Sequence, residues 1–167
     1  MALSIEDLLT REEIRDTLTN YSQGLDQRNW DLYDRVWTDD ATFEAPDEGI
    51  GRMGAGELKA MLQGNNDPDR LAGQHLLNNT HFQIDGDSAR TVTEVTWVTL
   101  QTMDKPGMVF EVRAGGIYVD DLVRTAEGWR IRRRVLVTKN KSTRGVAYPP
   151  ERIENIRRYS LDGDWFL

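Results

Sequence analysis

The chain contains two histidines, His75 and His81, and both lie in one stretch, DRLAGQHLLNNTHFQI at residues 69–84. Imidazole is the side chain best suited to moving protons near pH 7, provided that a carboxylate fixes its tautomer and stabilises the imidazolium. Asp26 is the candidate carboxylate. It lies at the C-terminal end of a predicted helix, where the macrodipole disfavours an anion, and about 110° from the middle of the apolar stripe. The structural alternatives stay open: Asp26 as a cap or a solvated residue, and each histidine as a backbone-bonded strand residue.

Other kinds of chemistry find little support in the sequence. There is no cysteine, which excludes disulfides, thiolate nucleophiles and cysteine-based metal sites. The two histidines form neither a helical pair nor a compact set with carboxylates, so neither a metal nor another cofactor is predicted. DGDSA at 85–89 is typical of a hairpin turn, and GIGRMGAG at 49–56 lacks the strand–turn–helix context of a phosphate-binding loop.

Composition narrows the classes of partner. A chain of 167 residues is long enough for one domain with a core, here predicted as a single unit over 1–167. The net charge of -7 argues against nucleic acid as a partner, because phosphate binding needs a basic face. The N-terminus is acidic and no stretch approaches the ~20 apolar residues of a membrane helix, so no membrane association and a cytoplasmic location are expected.

Helical patterns dominate the first half of the chain. Ser4 with Asp7 and Thr10 with Glu13 both fit the capping-box spacing, so the first helix is expected to begin twice or to bend. Asn29 is a predicted cap for a second short helix. A short strand at 41–45 and a helix at about 55–63 follow. The apolar stripe of the first helix and the aromatic residues of the second recur at helical spacing: Ile14, Leu18, Tyr21 and Leu25, then Trp30, Tyr33 and Trp37.

The second half changes to four β-rich runs joined by short turns, and a helix that begins near Pro150 opens the C-terminal segment at 149–167. Helices followed by antiparallel strands predict an α+β fold, with a curved sheet wrapped around the N-terminal helices and a ligand cavity between them. Strict alternation, without a bulge, places His75 and His81 on one strand face and Arg134 on the same face as Arg130 and Arg132.

Three segments, taken in order, carry a family resemblance: REEIRDTLTNYSQGLDQRNWDLYDRVWTDDATFEA, GQHLLNNTHFQIDGDSA and GIYVDDLVRTAEGWRIRRR. Together they resemble the SnoaL-like branch of the nuclear-transport-factor-2 superfamily over about residues 5–140. The resemblance implies a cone-shaped α+β barrel with one deep pocket. Within the superfamily the chain is most similar to cofactor-independent lyases: scytalone dehydratase, hexachlorocyclohexane dehydrochlorinase and bile-acid 7α-dehydratase.

The resemblance also implies roles for particular residues. Asp26 and His75 fall on the catalytic aspartate and histidine of those lyases, and His81 on a position without a catalytic role. Tyr21 falls on a helix tyrosine of the bile-acid enzyme and Arg134 on an arginine that faces the pocket in relatives. Both are expected to donate to, or stabilise, the leaving oxygen or the developing enolate. The chain lacks the second histidine and the strand tyrosine of scytalone dehydratase. The residues expected to contact a substrate are Phe43, Thr96, Val98, Tyr118, Tyr33 and Trp37.

The predicted activity is therefore a cofactor-free lyase, acting by dehydration-type β-elimination or retro-aldol cleavage on a small hydrophobic cyclic or aromatic molecule. An isomerase or a polyketide or aldol cyclase of the same fold is the alternative enzyme, and a small-subunit or binding module is the non-enzymatic one. The resemblance favours a homo-oligomer, a trimer in particular, with Val95 and Trp97 expected on an apolar outer face of the sheet.

Overall fold

The computed structural model describes residues 4–66 and 70–160. Within these ranges four α-helices accompany six strands. The helices are α1 (Ile5–Asp26), α2 (Trp30–Asp34), α3 (Ala55–Met61) and α4 (Pro150–Ser160). The strands are β1 (Trp37–Ala45), β2 (Ile50–Gly54), β3 (Arg70–Asp85), β4 (Ser88–Thr102), β5 (Met108–Thr125) and β6 (Gly128–Ala147). A 3₁₀ turn, Pro46–Glu48, joins β1 to β2, and a π-helical turn, Leu62–Asn66, extends α3.

Helix α1 begins once, at Ser4, and runs unbroken for 22 residues. The Ser4 hydroxyl accepts the Asp7 amide, while the Asp7 carboxylate accepts the Ser4 amide at 2.8 Å, which is the predicted capping box. The second start or bend expected near Thr10 is wrong, because Thr10 continues the helix and is buried. The predicted apolar stripe is buried as a set: Ile14, Leu18, Tyr21 and Leu25.

Helix α2 lies directly against α1. Its predicted cap is confirmed, since the Asn29 side chain accepts the Leu32 amide at 3.0 Å. A Cβ on Gly24 would lie 2.7 Å from the backbone nitrogen of Tyr33, so only glycine permits this approach of the two helices. The tight packing sets the aromatic side chains of α2 against the end of α1.

One curved six-stranded sheet covers the helices, in the order β2–β1–β6–β5–β4–β3. All neighbouring strands are antiparallel except β1 and β6, which are parallel. The α+β class is confirmed, and in the described ranges the sheet is not closed into a barrel, with β2 and β3 as its edges.

The main hydrophobic core lies between α1, α2 and the inner face of the sheet. A second, smaller cluster under α4 is built on Leu71, Leu100 and Val109. The predicted tail at 161–167 lies outside the described residues. None of the described helices is long and apolar enough to span a membrane.

Two irregularities reverse the strand alternation that the sequence predicts. On β3 the register shifts between Asn78 and His81, and Asn79 has a left-handed φ of 47°. This bulge turns His81 outward, where it is exposed, although His75 faces inward. On β6 a second shift, opposite the Asp121–Leu122 pair of β5, moves Arg134 to the buried face.

Candidate active site

The end of α1 and the start of β3 bring Asp26 and His75 into contact. The Asp26 Oδ1 atom lies 2.7 Å from His75 Nδ1, and Asp26 Oδ2 accepts the backbone N–H of His75, also at 2.7 Å. Both side chains are almost entirely buried, at 4% and 7% exposed. One carboxylate therefore holds the ring and the main chain of the same residue.

This contact defines the protonation state that the site favours. A carboxylate can only accept, so the neutral imidazole carries its proton on Nδ1 and keeps the lone pair on Nε2. Burial strengthens the interaction between Asp26 and an imidazolium, because the local dielectric is low. The arrangement is one that allows His75 to accept a proton at Nε2.

His75 forms part of the wall of a pocket of about 250 Å³. The His75 and Trp97 rings lie 6.3 Å apart and nearly parallel, at 15°. The rest of the wall has an apolar and a polar part, and no described acidic side chain lines it. The apolar residues are Leu25, Leu62, Trp97 and Val112, and the polar ones are Arg70, Thr99, Gln101 and Lys141.

The structure places two predicted substrate contacts, both on β4, outside the lining of the pocket beside His75. Thr96 and Val98 were expected to line the cavity, but Thr96 is exposed and pairs with Leu76, whereas Trp97 pairs with His75. Val98 shares the face of Thr96, because side chains alternate along a strand. The outer-face role expected for Val95 and Trp97 is wrong for the same reason. Val95 is buried in the core, and Trp97 lines the pocket.

Tyr21 and Arg134, the predicted assisting residues, meet in a separate buried cluster. The Arg134 guanidinium carbon lies 4.1 Å from the ring centres of both Tyr21 and Tyr118. Its Nε and Nη2 atoms donate to the two oxygens of Asp120, at 2.6 and 2.8 Å. Neither Tyr21 nor Arg134 is among the described residues that line the pocket beside His75.

Electrostatics in this cluster favour neutral phenols around a fixed cation. Burial raises the pKa of Tyr21, and the Arg134 charge offsets only part of that effect. Burial also raises the pKa of Tyr118 and of Tyr33. Burial by itself would lower the pKa of Arg134, but the Asp120 carboxylate more than compensates, so its pKa lies above the ordinary arginine value.

The remaining predicted substrate contacts are core residues. Tyr33, Trp37 and Phe43 are all buried, and the Tyr33 and Trp37 rings pack on Tyr21 at 5.5 and 5.6 Å. Together with Tyr118 they fill the space that the sequence assigned to a deep cavity. Sequence reasoning missed several residues that line the pocket, among them Arg70, Thr99, Gln101 and Lys141. They could be predicted only if it were known which alternate residues of each strand face the pocket.

Among the described residues, no group of three or more histidine, aspartate or glutamate side chains is arranged to hold a metal ion. The pair of Asp26 and His75 supplies two such groups, and the hydrogen bond between them occupies His75 Nδ1. The chemistry available from these side chains is proton transfer.

Comparison with known proteins gives consistent matches. A model of the SnoaL-like domain matches residues 6–135. An uncharacterised protein of Mycobacterium tuberculosis is 34% identical over 138 residues, which are 80% of this chain and 88% of that protein. A crystal structure of a Kribbella flavida protein superposes with a TM-score of 0.72 at 25% identity, covering 80% of this chain and 93% of that one.

A hexachlorocyclohexane dehydrochlorinase from Novosphingobium barchaimii superposes with a TM-score of 0.69. The match covers 86% of this chain and 96% of that one. At 18% identity, this similarity shows a shared fold and nothing about the reaction.

Proposed function

The chain belongs to the SnoaL-like domain family, and on that premise and the geometry of its site we propose that it is a cofactor-independent lyase. The observation that carries the proposal is the buried contact of 2.7 Å between Asp26 and His75 at the wall of a pocket. A binding module has no need to bury a carboxylate against an imidazole. For a base that must become cationic during turnover, the same arrangement is useful.

The proposed reaction begins with proton abstraction by His75. Nε2 takes a proton from a carbon next to a carbonyl or from a hydroxyl group, and Asp26 stabilises the imidazolium that forms. The electron pair left behind then expels a β-substituent as water or another small group, or breaks a carbon–carbon bond in a retro-aldol step. In each version the proton held on His75 can be returned to the product or to the leaving oxygen.

The lining of the pocket supports a small cyclic or aromatic substrate. Trp97 offers a flat apolar surface beside the imidazole, and Leu25 and Val112 continue it. A volume of about 250 Å³ lies just below the roughly 300–1,000 Å³ of drug-sized ligand sites, which favours a small substrate. A ring with a few oxygen substituents fits such a mixed wall.

Stabilisation of a developing negative charge requires donors that face the substrate. The resemblance assigned this task to Tyr21 and Arg134, but both lie in the aromatic cluster and neither is among the described residues that line the pocket. The donors on the wall include Thr99, Gln101 and Lys141, beside Arg70, whose Nη2 atom donates to the Leu25 carbonyl. We therefore propose that the wall donors contact the oxygen of the substrate, while Tyr21 and Arg134 act through the fixed charge and packing of their cluster.

A turnover screen tests this proposal. The purified protein is incubated with cyclic or aromatic ketones that carry a β-hydroxyl group on a side chain and with β-chlorinated cyclic ketones, and the masses of the products are measured by mass spectrometry. Loss of water or hydrogen chloride, or release of a carbon fragment, supports a lyase. A rearranged product of unchanged mass indicates the isomerase or cyclase of the same fold.

The matched variants for any converted compound are His75→Ala, Asp26→Asn and His81→Ala. A general base contributes about 10²–10⁴-fold to rate, so kcat is expected to fall by that factor in the first two variants. The His81→Ala variant is expected to retain the wild-type rate because His81 is exposed on the opposite face of β3. Wild-type rates in both His75→Ala and Asp26→Asn would reject the proposal.

A further inference from the structure

We propose that Gly73 and Arg70 are positioning residues for the pair formed by Asp26 and His75. Because Gly73 has no side chain, it leaves the space that the Asp26 carboxylate occupies. Arg70 holds the C-terminal end of α1 next to that space. The catalytic meaning of this arrangement rests on the proposed function, whereas the arrangement itself is a property of the folded chain.

The space at Gly73 is defined by the carboxylate. A Cβ on this residue would lie 2.9 Å from Asp26 Oδ1, which is closer than real Cβ atoms approach a neighbour, and 3.7 Å from the Asp26 Cα atom. Oδ1 is the same oxygen that contacts His75 Nδ1. Gly73 does not have a left-handed φ, so the backbone conformation does not explain the glycine. The close position of Asp26 Oδ1 explains why this residue is a glycine.

Arg70 connects the beginning of β3 to the last turn of α1. Its Nη2 atom donates to the Leu25 carbonyl at 2.8 Å, and the Arg28 Nη2 atom donates back to the Arg70 carbonyl at 2.9 Å. The two bonds run in opposite directions between the same two segments. Leu25 before Asp26, through its carbonyl, and Arg28 after it, through its side chain, are therefore both tied to the start of β3.

The charge of Arg70 also suits this place. The last turn of α1 has no basic residue of its own, although it ends in the anion Asp26. A cation near the final carbonyls of a helix interacts favourably with the macrodipole. Arg70 is buried, and its Nη1 atom would lie 3.3 Å from a Cβ on Gly73, so the cation sits beside the space that receives the carboxylate.

A register shift explains how β3 presents both residues. Arg70 pairs with Gln101 and Ala72 pairs with Leu100, so one extra residue of β3 lies between them. The shift places Arg70 on the same face as Gly73 and His75, which regular alternation would not do. Three residues of one strand end thus converge on Asp26.

Nitrogen NMR of the imidazole tests the proposal without a substrate. The chain has only two histidines, so the His81→Gln variant leaves His75 as the single source of imidazole signals. At a pH that keeps the ring neutral, two distinct nitrogen resonances are expected, one from protonated Nδ1 and one from unprotonated Nε2, because Asp26 fixes the tautomer.

In the His81→Gln background, Gly73→Ala is expected to replace this pattern with two averaged nitrogen resonances, because the new methyl group displaces Oδ1. Gly51→Ala is the matched control, since Gly51 is also a strand glycine and its added Cβ would meet no atom within 4 Å. An unchanged tautomer pattern in the Gly73→Ala variant would overturn the proposed role of Gly73.

Arg70 is tested by the same signals. Arg70→Gln is expected to lose the single-tautomer pattern, and Arg70→Lys is expected to recover most of it, because a lysine restores the cation and a donor. A merely structural residue would lower the melting temperature without changing the tautomer of a folded protein. An ordered tautomer in Arg70→Gln would overturn the role of Arg70.

A second measurement covers the case in which Gly73→Ala does not fold. If the methyl group is harmful only because it meets Asp26, the double variant Asp26→Ala with Gly73→Ala should fold and melt at the temperature of Asp26→Ala alone. An equal loss of Tm from Gly73→Ala in both backgrounds would reject the proposed cause. Since no step uses turnover, an ordered pair in an inactive protein would reject the proposed function and leave this inference standing.

Discussion

Arg134 is a fully buried arginine, and its nearest partner, Asp120, is fully buried as well. Two charges in the interior are tolerated only when they are paired with good geometry, because each would otherwise lose its hydration without compensation. The bidentate contact provides that pairing, and the rings of Tyr21 and Tyr118 cover the guanidinium. The pair fixes the cation that the aromatic cluster surrounds.

Removing Asp120 should therefore be costly. In Asp120→Ala the Arg134 charge stays buried without its carboxylate, and we expect the free energy of unfolding to fall by about 3–5 kcal/mol. Asp121→Ala is the control, because the neighbouring aspartate is partly exposed and pairs with Arg90 and Arg133, surface contacts worth about 0–1 kcal/mol each. Urea unfolding followed by circular dichroism measures both. An equal loss of unfolding free energy in the two variants would show that the buried ion pair stabilises the fold no more than the surface ones.

Lys141 is the cationic donor on the pocket wall for which the sheet offers a matched control. Lys139 has a similar exposure and also pairs with a glutamate, but it does not line the pocket. With any compound that the protein converts, we expect Lys141→Met to reduce kcat by about 10²-fold, the size of losing one oxyanion donor. Lys139→Met should retain kcat. Equal kcat in the two variants would remove Lys141 from the proposed mechanism.

At the scale of helices and strands, the sequence predicted the features that depend on local residue spacing. The stripe of α1 and the caps at Ser4 and Asn29 could be predicted because helical spacing and capping chemistry are local. The pocket side of β4 could not, since Thr96 and Trp97 differ by one position and a shift of one residue reverses every side chain. Residue chemistry and helix position gave Asp26 as a candidate, the resemblance chose His75 over His81, and strand pairing was needed to find Trp97.

The bulge on β3 is the reason why the two histidines face opposite sides of the sheet. Asn79 adopts a left-handed conformation that asparagine tolerates and β-branched residues do not. Because Asn79 and Thr80 together lie opposite the single residue Thr93, His75 before the bulge faces inward and His81 after it faces outward. Its only trace in the sequence is the pair of asparagines at 78–79.

Substitutions at Asn79 should follow its backbone conformation. We expect Asn79→Ile to lower the free energy of unfolding by about 1–3 kcal/mol, the cost of a strained backbone residue, and Asn79→Gly to retain it. Asn78→Ile is the control, since Asn78 pairs regularly with Glu94 and is exposed, so a β-branched residue suits it. Chemical denaturation ranks the three variants. A larger loss at position 78 than at position 79 would contradict the bulge as the cause.

At the scale of the whole molecule, one aromatic cluster ties the helices to the sheet. Tyr21 comes from α1, Tyr33 from α2, Trp37 from β1 and Tyr118 from β5, and Tyr21 contacts each of the other three rings. The interior is therefore filled with rings around the ion pair of Arg134 and Asp120, and the pocket lies beside the end of α1, with walls from β3, β4, β5 and β6. The resemblance predicted a deep cone-shaped cavity, and residue types alone do not reveal that the interlocking rings fill this space.

The same cluster makes the fold sensitive to alkali. Burial raises the pKa of Tyr21, Tyr33 and Tyr118 above the unfolded value of about 10. A raised folded pKa means that the neutral phenol is favoured by folding, so the contribution is complete below about pH 10 and is lost as the pH rises beyond it. We expect the urea midpoint to fall above that pH, with less dependence on pH in Tyr118→Phe. Tyrosinate absorbance of the three phenols should appear only as circular dichroism is lost, and full ionisation of every tyrosine in a folded protein would contradict a closed cluster.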